Sequence, residues 1–125
     1  MSIKESGEMY LETILILSDK LPKVRSIDIA EYRSLSKPSV CRAVAVLKRN
    51  GYIDVDKTGY ITLTNSGKNI AEKIYERHTV ITAILMRLGV SEEDAVKDAC
   101  KMEHVISDST FDAIKAHLRK YTVDQ

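Results

Sequence analysis

The sequence predicts a mostly helical fold that carries one small β-hairpin. Apolar residues recur at helical spacing over most of the 125-residue chain, and the period changes only after Gly51, where short alternating segments flank a turn. Two short helices, a longer basic helix and the hairpin follow one another within about 40 residues, an order typical of a winged helix-turn-helix. We therefore expect a winged helix-turn-helix followed by a helical subdomain.

The first two helices are defined by the signals at their ends. Residues 6–19 carry an apolar stripe, and Pro22 ends the helix that they form. Ser26 is suited to cap a second helix over Ile27–Arg33. The residues of this second helix that we expect to face inward are Ile27, Ala30 and Tyr32.

The third helix and the hairpin complete the predicted winged helix. Ser36 is suited to cap a helix from Lys37 to Asn50, because the proline in its first turn is tolerated there, and Gly51 ends it. The turn Lys57-Thr58-Gly59 then separates two short strands.

Three further helices are predicted in the second half of the chain. The fourth is capped by Thr64 or Asn65 and runs to about Leu88. Ser91 begins a capping box for the fifth helix, and the sixth starts near Asp108. Helices this short need a partner surface for their apolar stripes, and a second copy of the chain would provide one.

Composition limits the class of protein. Hydrophobic residues make up 44% of the chain, with no Trp and a single Phe, so the core must be aliphatic. The longest apolar stretches are too short to cross a bilayer, and the N-terminal residues lack the build of a signal peptide. We expect a cytoplasmic protein with no membrane partner, in which Cys41 and Cys100 are thiols or ligands rather than a disulfide framework.

A basic segment coincides with the predicted third helix. No acidic residue falls between Glu31 and Asp54, while five cations do: Arg33, Lys37, Arg42, Lys48 and Arg49. A charge run of this kind is usually a solvated helix face. The helix-turn-helix signals around it favour instead a patch that attracts DNA phosphates.

A second motif, Cys100-Lys-Met-Glu103-His104, carries metal chemistry. Residues at i, i+3 and i+4 share a helix face, so the thiolate, carboxylate and imidazole are expected to project together. Such a set suits a borderline transition metal rather than Mg²⁺ or Ca²⁺, which prefer oxygen ligands. The alternative is a small core cysteine beside two solvated residues. Three ligands are an incomplete set, so the motif must recruit others.

Four stretches carry a resemblance to a known family: Glu8–Ile14, Ser36–Val40, Leu63–Gly67 and Asp98–Asp108. On these residues the chain resembles the iron- and manganese-dependent repressors of the diphtheria toxin repressor and manganese transport regulator family. The most specific part is the Cys-x-x-Glu-His motif that follows a winged helix and a long helix with a histidine. The SH3-like domain of the larger members has no counterpart in the sequence, so a short form is expected.

The resemblance implies metal ligands at Met9, Glu12, His78, Cys100, Glu103 and His104. The soft, iron-type pair Met9 and Cys100 favours Fe(II), whereas Glu12 keeps Mn(II) as the second candidate, since Mn(II) prefers carboxylates. Other divalent metals (Co, Ni, Zn) are expected to bind in vitro. Thr82 and Val96 stand where iron-type members have ligands of a second site, so one metal per chain is the first expectation.

The resemblance also implies which residues lie at DNA. It puts the first turns of the third helix nearest the bases: Ser36, Lys37, Pro38, Ser39 and Arg42. Arg42 is the best candidate for a bidentate contact with guanine. Three flanking cations are expected at the DNA backbone, namely Arg33, Lys48 and Lys57.

The implied function is a metal-dependent transcriptional repressor, not an enzyme, that binds operator DNA as a homodimer and controls metal homeostasis genes. Residues 1–64 would form the winged helix-turn-helix domain and residues 65–125 the helical metal-binding and dimerisation domain. A metal with ligands from both halves would fix their relative angle. In a dimer that angle sets the distance between two recognition helices, which must match about 34 Å on duplex DNA.

Three alternatives are open on the residues alone. The chain could be a winged-helix regulator whose metal is structural or whose effector is different. It could be a small metalloenzyme with Glu103 as base, but no Gly-rich phosphate loop or nucleophile elbow accompanies it. A thiol sensor that uses Cys41 and Cys100 is the third, and both cysteines have simpler explanations.

Overall fold

The computed structural model describes residues 4–123, with side chains up to residue 120. In this part of the chain the elements are α1 (Glu5–Lys20), α2 (Ser26–Arg33), α3 (Lys37–Arg49), β1 (Ile53–Val55), β2 (Ile61–Leu63), α4 (Asn65–Arg87), α5 (Glu92–Met102) and α6 (Asp108–Val123). This order confirms the predicted mostly helical fold with a hairpin wing. The chain forms two compact units, one ending at Glu72 and the other starting at Lys73, so α4 contributes to both. The domain boundary placed at residues 64 and 65 stays a prediction.

The core of the first unit is aliphatic, as the composition predicts. Helices α1, α2 and α3 and strand β1 all contribute fully buried side chains to it, among them Leu11, Ile14, Ile29, Val40 and Ile53. Removing this apolar surface from water is the main favourable term that holds the three helices and the hairpin together. The core therefore fixes α3 within the unit while the helix keeps one face in solvent.

Helix α2 differs from the sequence prediction in two details. Ser26 is its first residue rather than its cap, and the backbone N–H of Arg25 donates to the Asp28 carboxylate at 2.8 Å. The buried face of the helix centres on Ile29 and Ala30, which pack into the core. Two of the residues expected to face inward are exposed instead, Ile27 at 42% and Tyr32 at 43%.

The hairpin forms as predicted and gains one partner. Strands β1 and β2 pair antiparallel, with Val55 opposite Ile61. Val24, in the segment between α1 and α2, forms an additional bridge with Ile61 that the sequence pattern does not reveal. After the hairpin, Thr64 caps α4, because its Oγ1 accepts the N–H of Gly67 at 3.2 Å. Thr64, rather than Asn65, is therefore the cap.

The second unit contains the later part of α4 together with α5 and α6. Its buried apolar residues come from all three helices: Ile74, Ile81, Ala95, Ala99 and Phe111. Ser91 caps α5 as predicted, since its Oγ accepts the N–H of Asp94 at 3.2 Å. Within residues 4–123, no helix combines the length and apolarity needed to cross a membrane.

Candidate metal centre and nucleic-acid interface

Three potential ligands converge in the second unit. His78 lies on α4, Cys100 on the last turn of α5, and Glu103 directly after α5. Their ligand atoms all lie within 4.8 Å of one another. Nδ1 of His78 is 3.0 Å from Oε2 of Glu103 and 3.7 Å from Sγ of Cys100. The structure thus brings together one nitrogen, one oxygen and one sulfur donor.

The geometry behind this cluster corrects one detail of the sequence prediction. Helix α5 ends at Met102, so Glu103 and His104 do not lie on the helix proper. Glu103 still has helical backbone angles (φ −60°, ψ −24°), and this keeps its side chain on the same side as Cys100. His104 lies in the turn that follows, with its Nε2 3.3 Å from Oε1 of Glu103. The carboxylate therefore lies between the two imidazoles.

The Glu103 carboxylate is buried, with a side-chain exposure of 1%. Its Oε2 faces His78, whereas its Oε1 has no hydrogen-bond partner among the described residues. A buried carboxylate is costly unless a positive charge accompanies it. The Sγ of Cys100 and then the carboxylate of Glu103 raise the pKa of His78 to about 10, because both groups favour a positive charge beside them.

The donor set fits a divalent transition metal. A thiolate, an imidazole and a carboxylate are the ligands that borderline metals accept together. The Oε1 atom of Glu103 supports this fit. Although Nε2 of His104 lies 3.3 Å away, this buried atom accepts no hydrogen bond from the described residues, and a buried acceptor without a hydrogen bond normally indicates a missing partner. A bound cation would balance the charge of the buried carboxylate and would also give Oε1 of Glu103 a partner.

The two ligands predicted on α1 belong to the first unit. Met9 is half-buried, and its Sδ lies 3.7 Å from Oγ1 of Thr13. Glu12 is buried, and its Oε1 accepts from Nη2 of Arg33 at 3.3 Å. That Met9 and Glu12 complete the metal site stays a prediction of the sequence.

Arg33 was expected at the DNA backbone, and the structure shows it engaged with α1. Its Nε donates to Oγ1 of Thr13 at 2.7 Å and its Nη2 donates to Glu12. The Arg33 side chain is 22% exposed. The guanidinium thus connects the end of α2 to a buried carboxylate of α1 by hydrogen bonds. The sequence pattern does not indicate this role.

The first turn of α3 is open to solvent. Ser36 caps the helix by accepting the N–H of Ser39 at 3.3 Å, as predicted. Ser39 Oγ in turn accepts from Ser36 Oγ at 2.7 Å and from Nη2 of Arg42 at 3.4 Å. The other residues predicted at DNA are all exposed, namely Lys37, Pro38, Lys48 and Lys57. This end of α3 therefore presents hydroxyl and cationic groups to solvent.

Arg77 is a residue that the sequence reasoning missed. It precedes His78 on α4 and is buried, at 6% exposure. The spacing of the sequence does indicate its burial, because Arg77 lies three residues after Ile74 and four before Ile81, both of which are buried. An arginine on the apolar face of a helix must find acceptors inside the protein, and Arg77 finds them on the segment that carries Glu103.

Comparison with known proteins identifies both halves of the chain. Residues 2–60 match the family model of the iron-dependent repressor N-terminal DNA-binding domain, and residues 64–125 match that of the iron-dependent repressor metal-binding and dimerisation domain. The chain is 33% identical over 118 residues to the transcriptional regulator MntR of Escherichia coli O6:H1, with 94% of this chain and 76% of the relative covered. It is 31% identical over 121 residues to an HTH-type transcriptional regulator of Methanocaldococcus jannaschii, with 95% and 97% covered.

Among solved structures, the manganese regulator SloR matches with a TM-score of 0.82 and 29% identity over 95% of this chain. The chain spans 55% of the SloR chain, so the structural relative is considerably longer. The curated relatives from Escherichia coli and Methanocaldococcus jannaschii are transcriptional regulators, which confirms the predicted class of protein. The chain therefore belongs to the iron-dependent repressor family, in which its relatives include MntR and SloR.

Proposed function

We propose that this chain is a transcriptional repressor that binds double-stranded operator DNA as a homodimer when it is loaded with a divalent transition metal. The observation that carries the proposal is the buried Glu103 carboxylate, placed with His78 and Cys100 as a donor set for a metal. The same chain carries an exposed basic helix start at Ser36. A DNA-binding element and a metal-binding element in one short chain suit a metal-controlled regulator that acts in the cytoplasm on metal homeostasis genes.

His78, Cys100 and Glu103 would hold the metal, with His104 as the next candidate since it adjoins the same carboxylate. Met9 and Glu12 are proposed as further ligands on the strength of the family resemblance. When bound, the metal supplies positive charge and fixed coordination geometry. The protein residues contribute a thiolate, imidazoles and carboxylates, and they must give up their protons on binding.

Fe(II) is the metal we propose first. The thiolate of Cys100 and the thioether of Met9 are soft donors, which Fe(II) accepts more readily than Mn(II) does. Mn(II) is the second candidate, because Glu12 offers a hard carboxylate ligand and the relative SloR is described as a manganese regulator.

At DNA, the start of α3 would enter the major groove. Ser36, Lys37 and Ser39 are proposed to meet the bases or the nearest phosphates, as is Arg42 on the next turn. Lys48 and Lys57 are proposed as backbone contacts, since both are exposed cations. Arg33 is the least favoured of the predicted DNA contacts, because its guanidinium donates to Thr13 and Glu12.

The metal controls DNA binding if it binds the DNA-competent state more tightly than the other states. The rival proposal is a winged-helix regulator whose metal is structural or whose effector is different. A structural metal would change the free energy of unfolding of the chain without a graded effect on DNA affinity. The two proposals therefore differ in a measurable quantity, the coupling between metal concentration and operator affinity.

The test is an anaerobic titration of operator affinity against metal. Operator fragments are first selected from a random-sequence DNA pool with Fe(II)-loaded protein, and binding is then measured with Fe(II), Mn(II), Zn(II), Ni(II) or chelator. We expect tight binding only with metal, and its loss in His104→Ala but not in His117→Ala, the replacement of an exposed histidine on α6 outside the candidate site. Equal affinity of the wild-type protein in chelator would contradict metal control.

A further inference from the structure

Arg77 holds the segment that joins α5 to α6. Its Nη1 donates to the backbone carbonyl of Glu103 at 3.1 Å and to that of Ile106 at 2.8 Å. Its Nη2 donates to the carboxylate of Asp108, the first residue of α6. The ring of Phe111 lies 5.4 Å from its Cζ. One guanidinium thus contacts both ends of the segment 103–108, which carries Glu103 and His104.

These contacts meet specific needs of the two helix ends. The last carbonyl groups of a helix have no partner within the helix, and the carbonyl of Glu103, just after α5, is satisfied by Arg77. A cation is favourable near the C-terminal end of a helix, and a carboxylate is favourable at the N-terminal end, where Asp108 begins α6. Arg77 therefore fixes the backbone of Glu103, the residue whose side chain contacts His78.

We propose that Arg77 is a positioning residue of the metal centre, which fixes the 103–108 segment so that Glu103 and His104 are presented to a divalent metal. The inference rests on the proposed function, because it assigns Arg77 a part in that same site. His78 and Arg77 are adjacent on α4, so one turn of the helix supplies both a ligand and the group that orders two other ligands. Cys100 lies within α5, whereas the hydrogen bonds of Arg77 are to Glu103, Ile106 and Asp108.

A purely structural role for Arg77 makes a different prediction. The buried guanidinium donates to three acceptors in the folded protein. Its removal would therefore lower the free energy of unfolding even if it had no effect on metal affinity. A positioning role requires in addition that the loss in metal affinity acts through Glu103. The two roles are separated by combining substitutions at both positions.

The experiment uses Co(II) as the probe in the full-length chain, because a cysteine thiolate bound to Co(II) gives a charge-transfer band. We expect Arg77→Lys to bind Co(II) about 10–100-fold more weakly than wild type, in the range typical of residues that support metal ligands. The band itself should persist, since Cys100 is not held by Arg77. Glu76→Gln is the matched control, because Glu76 is an exposed neighbour on α4 that pairs with Lys115.

The decisive measurement is a double-mutant cycle with Glu103→Gln. If Arg77 acts through Glu103, then Arg77→Lys should cost less affinity when Glu103 is already replaced than it costs in the wild-type background. The proposal is overturned if folded Arg77→Lys binds Co(II) as wild type does, or if its cost is equal in both backgrounds. Wild-type protein that fails to bind Co(II) would contradict the proposed function instead.

A second variant covers the case in which Arg77→Lys does not fold. Asp108 is 69% exposed, so Asp108→Asn removes the negative charge that faces Arg77, and that also pairs with Lys73, without opening the core. We expect a smaller loss of Co(II) affinity in the same direction, again dependent on Glu103. Cooperative thermal unfolding establishes that each variant is folded. Unchanged affinity in Asp108→Asn, with Arg77→Lys unfolded, would leave Arg77 a structural residue and overturn the proposal.

Discussion

Nδ1 of His78 lies 3.0 Å from Oε2 of Glu103, although the two residues are 25 positions apart in the sequence. The contact joins α4 to the end of α5, and Cys100 lies on the same side of it. Because the carboxylate is buried and the thiol is adjacent, the three groups together favour a cation.

Replacement of Cys100 should remove the sulfur ligand without unfolding the chain. Cys100 is half-buried and its change to Ala leaves the neighbouring His78 and Glu103 in place. We expect loss of the thiolate charge-transfer band of the Co(II)-loaded protein and a fall in metal affinity of at least about tenfold. Cys41→Ala is the control, since Cys41 is exposed on α3. A band that survives in Cys100→Ala but disappears in Cys41→Ala would show that the thiolate comes from the other cysteine.

Helix α3 should carry some residues that specify the DNA sequence and others that supply charge. Arg42→Ala should cost about 1–3 kcal/mol of operator affinity and relax the base preference at one position. Lys48→Ala should weaken binding to all sequences and lower the slope of log affinity against log salt by about one. Competition between operator and scrambled DNA over a salt series separates the two effects. The assignment of Arg42 is wrong if its loss weakens both DNAs equally.

Arg33 should matter more for stability than for DNA. Its guanidinium donates to Thr13 and to the buried carboxylate of Glu12, so Arg33→Gln removes charge-assisted hydrogen bonds from the interior of the first unit. We expect the free energy of unfolding of the metal-free protein to fall by about 1–3 kcal/mol in urea denaturation. Lys48→Gln, on the exposed side of α3, should change it by less than about 0.5 kcal/mol. An unchanged free energy of unfolding in Arg33→Gln, together with a lower slope of log DNA affinity against log salt, would reverse this assignment.

Gly67 should not tolerate a side chain. A Cβ at this position would lie 2.0 Å from the backbone oxygen of Tyr52, which cannot move without disturbing the hairpin. The same oxygen accepts the N–H of Thr64, so the clash would also affect the cap of α4. We expect Gly67→Ala to destabilise the protein by at least about 1–3 kcal/mol, measured by thermal or urea unfolding. Ser66→Ala, at the exposed neighbouring position, should leave stability nearly unchanged.

The sequence predicts the helices well because their signals are local. The caps Ser36 and Ser91 accept the expected N–H groups, and Pro22 follows the end of α1. What the sequence does not predict is how polar side chains are paired across elements. Arg33 lies in the basic segment that was expected to contact DNA, and the sequence motifs assign no role to Arg77, yet both donate to acceptors distant in sequence.

The metal motif shows the same division between local and tertiary information. The spacing of Cys100 and Glu103 is a local property, and the structure keeps them on one side. The end of α5 at Met102 is not a local property, because the carbonyl of Glu103 accepts a hydrogen bond from Arg77 on another helix. Helical periodicity alone therefore extends α5 too far, because a tertiary contact forms where the helix ends.

The wing turn should depend on the charge of Asp56. Its Oδ1 accepts the N–H groups of Thr58 and Tyr60, both at 2.9 Å, and the hydroxyl of Thr58 at 2.8 Å. The N–H of Tyr60, followed by the hydroxyl of Thr58, lowers the pKa of Asp56 below its usual 3.8. A carboxylate whose pKa is lowered in the folded state stabilises the turn fully at pH values above its pKa in the unfolded state. This contribution is lost as the pH falls through the pKa of the folded state. The amide proton shift of Tyr60, followed by NMR from pH 6 downward, should hold until below pH 3.8 and then change. Asp56→Asn should abolish this transition, whereas Asp54→Asn on β1 should preserve it. A Tyr60 amide whose shift is already half-changed at pH 3.8 or above would contradict the assigned hydrogen bonds.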